Sequence, residues 1–280
     1  MISEFLEGLK SEKMLSVSTI RGYRAAISST LKPLGCWGHD WDDTLSSLMS
    51  NIALECHSEQ SDTPAWDINS VLRYLVSIGP SSELSLELLT RKTAFLLALA
   101  CSTRVSELHA LSARVVFDEG GMSVAVLPGF LAKTQVPNTK PQSWVVPGLP
   151  EGGDTTLCPV RTVKEYLRAT EGVRRGRKNL FIHWVPDRHF TGKSLVSAWL
   201  VTTVKDAYRS LGLPLPQSVK VHESRAISTS IAWDHGVAIN KFIEAGTWSS
   251  PSSFRQRYRR EVDSFSLPVP IVAAMSVINV

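Results

Sequence analysis

Residues 221–262 read VHESRAISTSIAWDHGVAINKFIEAGTWSSPSSFRQRYRREV, and the punctuation of this stretch is the best guide to the fold. Ile227, Ile231 and Ala232 recur at helical spacing after His222, and residues 237–245 carry a second apolar face. That is the period of helices with one stripe turned to a core. Gly246 is suited to stop a helix, and Ser250–Pro251 to begin one, with serine as N-cap and proline in the first turn. The third helix then carries Phe254, Tyr258 and Val262 on one stripe, ringed by Arg255, Arg257, Arg259 and Arg260. His222 and Arg225 stand three residues apart, so both can lie on one helix face and point at one object. A histidine, an arginine, Trp248 and Tyr258 are thereby delivered to consecutive helix ends and faces, an unusual set for a plain core.

Upstream, residues 3–11 and 17–31 read as helices. The second carries an apolar stripe of Ile20, Tyr23, Ala26, Ile27 and Leu31, with Lys13, Arg21 and Arg24 supplying positive charge. Asp42–Asp43 opens a third helix that runs to Cys56. The polar stretch HSEQSDTP at 57–64 suits a linker. The expected division is a small helical domain over 1–58, a linker over 59–66, and a larger domain over 67–280.

Within that larger part, 68–78 and 84–101 read as helices, the second apolar nearly all round and so buried. Residues 106–111 continue helical. β-Branched runs at 114–117, 122–127 and 144–146 predict strands, with Glu119–Gly120–Gly121 as the first turn. A helix is expected over 159–170, then the basic cluster Arg174, Arg175, Arg177 and Lys178, a short strand over 180–183 and a helix over 194–211. The fold class is mainly α with a small antiparallel sheet.

Composition permits this and excludes little. Among 280 residues, 43% are hydrophobic and 20% charged, as in an ordinary globule with a sizeable core. A net charge of +4 and a pI near 8.9 permit a polyanionic partner without demanding one. Cys36, Cys56, Cys101 and Cys158 lie far apart with no C-x-x-C pair, which argues against a zinc site or a disulfide framework and for reduced, buried thiols. Ser3, Glu4 and Glu7 do not suit a signal peptide. The apolar run at 267–280 is broken by Pro268 and Pro270 and is shorter than the ~20 residues of a membrane span. An intracellular protein with no membrane partner, no cofactor and no metal is expected. The apolar tail, 264–280, must bury itself on its own domain or on a neighbouring protomer.

The spacing carries a resemblance. His222-x-x-Arg225, Trp248 after 23 residues and Tyr258 after 10 more resemble the second signature box of the tyrosine recombinases, the phage-integrase family. Arg104-Val105-Ser106-Glu107-Leu108 resembles the family's Arg-x-x-Glu-Leu element, and Lys133, 29 residues past Arg104, stands where the family places the lysine of a β-hairpin. The wording RVSELHALS, FLAK and WSSPSSF is similar to that of recombinases of DIRS-type retrotransposons. The likeness covers roughly residues 85–265, with a weaker echo in the first 60. It implies a catalytic domain preceded by a small helical core-binding (SAM-like) domain that clamps DNA.

By this resemblance Tyr258 is the nucleophile, Arg104 and Arg225 clamp the phosphate, and His222 is a hydrogen-bonding or acid/base partner. Lys133 protonates the leaving hydroxyl, Trp248 donates its indole N–H, and Glu107 orients a neighbour. The residue types suit the chemistry. A phenol with a pKa of about 10 needs help in losing its proton. Two planar guanidinium forks match the charge gathered on phosphate oxygens, and a lysine or histidine serves as general acid. Taken singly each residue has an ordinary role: Tyr258 can pack with Phe254, and an Arg104–Glu107 helix pair is worth only about 0.3–0.5 kcal/mol. The joint order carries the assignment.

The implied function is DNA breakage and rejoining in site-specific recombination or integration of a mobile element, through a covalent 3′-phosphotyrosyl intermediate. The implied assembly is a homotetramer on synapsed double-stranded DNA, in the nucleus if the host is eukaryotic. A DNA-binding relic of the same fold and a type IB topoisomerase-like relaxing enzyme are the alternatives. Departures from the family pattern are Ser102, where many relatives have glycine, Ser224 before Arg225, Ala226 after it, and a Trp-to-Tyr interval one residue longer than in many integrases.

Overall fold

Serine and aspartate caps open several of the helices. The computed structural model describes residues 1–38, 40–55, 64–133, 135, 141–149, 155–185, 191–236 and 238. The chain divides into two compact units, Met1–Ser61 and Asp62–Val280.

The first unit holds α1 (Ile2–Ser11), α2 (Val17–Leu31) and α3 (Trp41–Glu55). Ser16 caps α2 by accepting the Thr19 backbone N–H, which satisfies a donor the helix itself leaves open. Leu6, Leu9, Ile20, Leu45, Met49 and Ile52 form its buried core. Of the stripe expected on α2, Ile20 is buried, whereas Tyr23 is 44% exposed and sits edge-on to Phe5. Arg24 donates to the Asp42 carbonyl and, at 2.9 Å, to Ser46 Oγ, so its charge ties α2 to α3. A hydrogen bond from Lys32 holds the Asp42 carboxyl below its ordinary range.

The second unit is built round α5 (Leu86–Ala100), which Ser85 caps through the Leu88 N–H. Residues 89, 90 and 92–100 of this helix are all buried. It packs against α6 (Val105–His109), α7 (Pro159–Thr170), α8 (Lys193–Ser210) and α9 (His222–Asp234). Before it come α4 (Ile68–Ser77), capped by Asp67, and a 3-10 turn at Ser81–Glu83. Lys92 is fully buried in α5, and its ammonium donates to the carbonyls of Leu75 at 3.0 Å and Gly79 at 2.9 Å. It thereby satisfies carbonyls at the C-terminal end of α4.

Three strands, β1 (Val116–Phe117), β2 (Gly121–Ala125) and β3 (Ser143–Pro147), form an antiparallel sheet in the order β1-β2-β3. Met122 pairs with Val146 and Val124 with Trp144, all four buried. Gly121 lies opposite Pro147, and a Cβ there would run into the Val146 carbonyl oxygen. Gly121→Ala is therefore expected to cost about 1–3 kcal/mol, as overpacking does. Gly120→Ala, whose Cβ would meet only Asp118 Oδ1 at 3.7 Å, is the control. Urea unfolding checks both, and equal midpoints would show that the hairpin yields.

Several expectations are corrected. The helix expected over 84–101 starts at Leu86 after the separate 3-10 turn. The strand expected over 114–117 pairs only at Val116 and Phe117. The strand expected over 180–183 is absent: Asn179 bridges Ser112, and Leu180 donates to Leu111, but no ladder continues. Cys101 and Cys158 are buried as expected, whereas Cys36 is exposed; Cys56 lies outside the described residues. The basic cluster is partly structural, because Arg174 donates to the carbonyls of Asn179 and Leu180 and to Thr170 Oγ1. No helix among the described residues is long and apolar enough to cross a membrane.

Candidate active site

The site begins where α5 stops. Cys101 ends the helix, and Ser102 turns the chain with a left-handed φ of +47°. That is the conformation glycine adopts without strain, so a serine there carries a steric cost. Arg104 then stands in extended geometry as the N-cap of α6. Burial pushes the Cys101 thiol up, so it stays protonated and inert beside the turn.

Glu107 gathers the charged groups beside this turn. Its Oε2 accepts the Arg104 backbone N–H at 2.7 Å, and its Oε1 accepts Arg104 Nη1 at 2.6 Å. The same Oε2 accepts Nη1 of Arg225 at 3.4 Å, across 118 residues of sequence. These two guanidinium groups and one carboxylate together carry one net positive charge. The side chains of Glu107 and Arg225 are each 1% exposed, and that of Arg104 is 12% exposed. Arg104 is thus the more accessible member of the cluster.

Arg225 sits in the first turn of α9, a helix buried from Ser224 to Ala232 because it packs against α5. The apolar spacing of Ile227 and Ile231 foretells one buried face, but Ser224, Ser228, Thr229 and Ser230 are buried as well. Their hydroxyls make this possible by donating back to the helix. Ser228 donates to the Arg225 carbonyl at 3.1 Å, Thr229 to the same oxygen at 2.8 Å, and Ser230 to Ala226 at 2.8 Å.

The structure thus brings Arg104 and Arg225 together on Glu107. His222 is the exposed first residue of α9, within one turn of Arg225. Lys133 is exposed in a turn of the β2–β3 connection, outside the strands themselves. Trp248 and Tyr258, the helix expected from Pro251 and the apolar tail lie outside the described residues. Sequence reasoning missed Ser228, whose Oγ lies 2.8 Å from Ser102 Oγ. The available signal was a hydroxyl one turn after Arg225.

No protein-family model matches the sequence, and no curated protein does. Solved structures do. One is the XerH site-specific recombinase bound to difH substrate in a pre-cleavage complex, with 15% identity and a TM-score of 0.52 over 91% of this chain and 65% of that one. Another is XerH bound to palindromic difH substrate in a post-cleavage complex, with 15% identity and a TM-score of 0.56 over 91% of this chain and 67% of that one. The chain thus spans about two thirds of the length of these neighbours. Helical architecture, the small antiparallel sheet and the structural likeness agree: this chain has the tyrosine recombinase fold.

Proposed function

We propose that this protein breaks and rejoins double-stranded DNA through a covalent 3′-phosphotyrosyl intermediate, in the site-specific recombination or integration of a mobile element. The observation that carries this reading is the buried cluster of Arg104, Arg225 and Glu107, in which two guanidinium groups share one carboxylate. Buried charge is tolerated where it is paired; two guanidinium forks held on one carboxylate, with Arg104 partly exposed, suit a phosphodiester. Arg104 and Arg225 offer planar donors to the non-bridging oxygens as negative charge gathers there in the transition state. Glu107 fixes both arginines beforehand, so little reorganisation is needed when the charge develops.

Tyr258 supplies the nucleophile. Its phenol gives its proton to His222 as the oxygen bonds to phosphorus, the bond from phosphorus to the 5′ oxygen breaks, and the phosphate remains esterified to the protein. Lys133 protonates the departing 5′ oxygen, His222 shares hydrogen bonding at the phosphate, and Trp248 donates its indole N–H to it. A 5′ hydroxyl reverses the ester in rejoining. The first unit serves as a core-binding domain that clamps DNA, and four protomers act on two synapsed duplexes. The wording around Arg104 and Trp248 favours a DIRS-type retrotransposon as the source, with the nucleus as the place of action in a eukaryotic host.

The test incubates the full chain with a pool of nicked suicide duplexes of varied sequence and resolves the products on a denaturing gel. A covalent adduct is expected, and it is expected to persist in EDTA because the arginines and Lys133 supply the positive charge. Salt-sensitive binding without an adduct would leave a DNA-binding relic. Relaxation of supercoiled plasmid without sequence preference would favour the topoisomerase reading. An absolute magnesium requirement for cleavage would overturn the proposed chemistry.

A further inference from the structure

We infer that Ser102 and Ser228 form a positioning pair that locks the backbone of Arg225 to the turn carrying Arg104; its catalytic consequence rests on the strand-transfer reading above. Serine is a costly choice at Ser102. Its φ of +47° brings an L side chain into the steric penalty that glycine escapes, and such strain persists where surrounding structure over-determines it. What serine adds is a hydroxyl, and that hydroxyl is used. Ser102 Oγ lies 2.8 Å from Ser228 Oγ, with Ser102 only 2% and Ser228 0% exposed.

The direction of the chain follows from counting protons. Ser228 donates its one hydroxyl proton to the Arg225 carbonyl at 3.1 Å. Its oxygen is left to accept, so Ser102 is the donor. The path runs from Ser102 O–H to Ser228 O–H to the Arg225 carbonyl, in a buried setting where neutral hydrogen bonds polarise one another.

Ser102 stands two residues before Arg104, and Ser228 one helical turn after Arg225. The two arginines are therefore joined twice. Glu107 ties them at their guanidinium ends, and the hydroxyl path ties their segments at the backbone end. Packing on α5 seats α9, and the two ties together set the spacing of the donors that a phosphate would meet.

The test uses Ser102→Gly, which keeps the left-handed turn without its hydroxyl, together with Ser228→Ala and the double variant. Two readings are taken: the Arg225 Nε–Hε resonance of the ¹⁵N-labelled, DNA-free chain, and the rate of adduct formation on a suicide duplex. In all three variants the resonance is expected to shift or broaden. Adduct formation is expected to slow roughly ten- to a hundredfold, the scale of a small misplacement, while non-covalent DNA affinity is unchanged. The double variant should be no slower than the slower single one, as for two members of one pair. Its melting temperature should recover above that of Ser228→Ala, because both polar partners are then gone.

A pair with a purely structural role predicts that the double variant regains the wild-type resonance and rate along with its melting temperature, and this result overturns the proposal. So does an unmoved Arg225 resonance in all three variants, or slowing that multiplies in the double. If the wild-type chain forms no adduct, the strand-transfer reading fails, and the resonance alone decides the positioning role.

Discussion

Tyr258→Phe is expected to bind DNA as tightly as the wild-type chain and to form no covalent adduct. Phenylalanine keeps the aromatic ring and removes only the attacking oxygen. Losing a nucleophile costs on the order of 10⁴-fold or more in rate, so the adduct should vanish from a denaturing gel. The other tyrosines are poorly placed to substitute. Tyr166 is fully buried, with its hydroxyl accepting the Ile182 N–H, and burial raises its pKa. The Tyr208 hydroxyl accepts the Asp67 N–H at 2.7 Å, which occupies it at the N-cap of α4. Burial likewise raises the pKa of Tyr74, the wrong direction for a nucleophile. Tyr23 sits in the first unit against Phe5. An adduct that survives in Tyr258→Phe would move the nucleophile, and Tyr208→Phe would then be the variant to make.

The largest effect on stability is expected at Glu107. Glu107→Ala removes the carboxylate that Arg104 and Arg225 share and takes a buried countercharge from the Arg225 guanidinium, whose side chain is 1% exposed. Breaking a buried pair from one side costs about 3–5 kcal/mol. A further part of the loss is local, because Glu107 also holds the Arg104 N–H that opens α6. Glu107→Gln keeps the volume and an acceptor oxygen, so its loss should be smaller. Combining Glu107→Ala with Arg225→Met should recover much of the stability, since an apolar side chain of similar length replaces the buried charge. Urea unfolding of the four proteins checks the series. A Glu107→Ala chain within about 1 kcal/mol of wild type would place the pair in the class of weak surface bridges and undercut the view of Glu107 as the organiser of the site.

Local signals carried the helices well. Pro159 at the first helical position marks the start of α7, and the structure has the expected helix at Pro159–Thr170. Caps at Ser16, Asp67 and Ser85 act through bonds within three residues and are local signals, although the helix expected from 84 ran past the Ser85 cap. Strands depend on neighbours. Residues 180–183 have strand-like composition, yet only Asn179 finds a bridging partner, in Ser112, and an extended run without a partner is not a strand.

The candidate site divides along the same line. The sequence offered Arg104, Lys133, His222, Arg225, Trp248 and Tyr258 as candidates through a resemblance in order and spacing, and of these the structure brings Arg104 and Arg225 together on Glu107. That Glu107 would hold Arg225 from 118 residues away was not legible, nor was the hydroxyl of Ser228 as the reason for a serine at a left-handed turn. Both contacts arise only when α9 is buried against α5, and which polar groups meet in that interior depends on tertiary packing rather than on any local period.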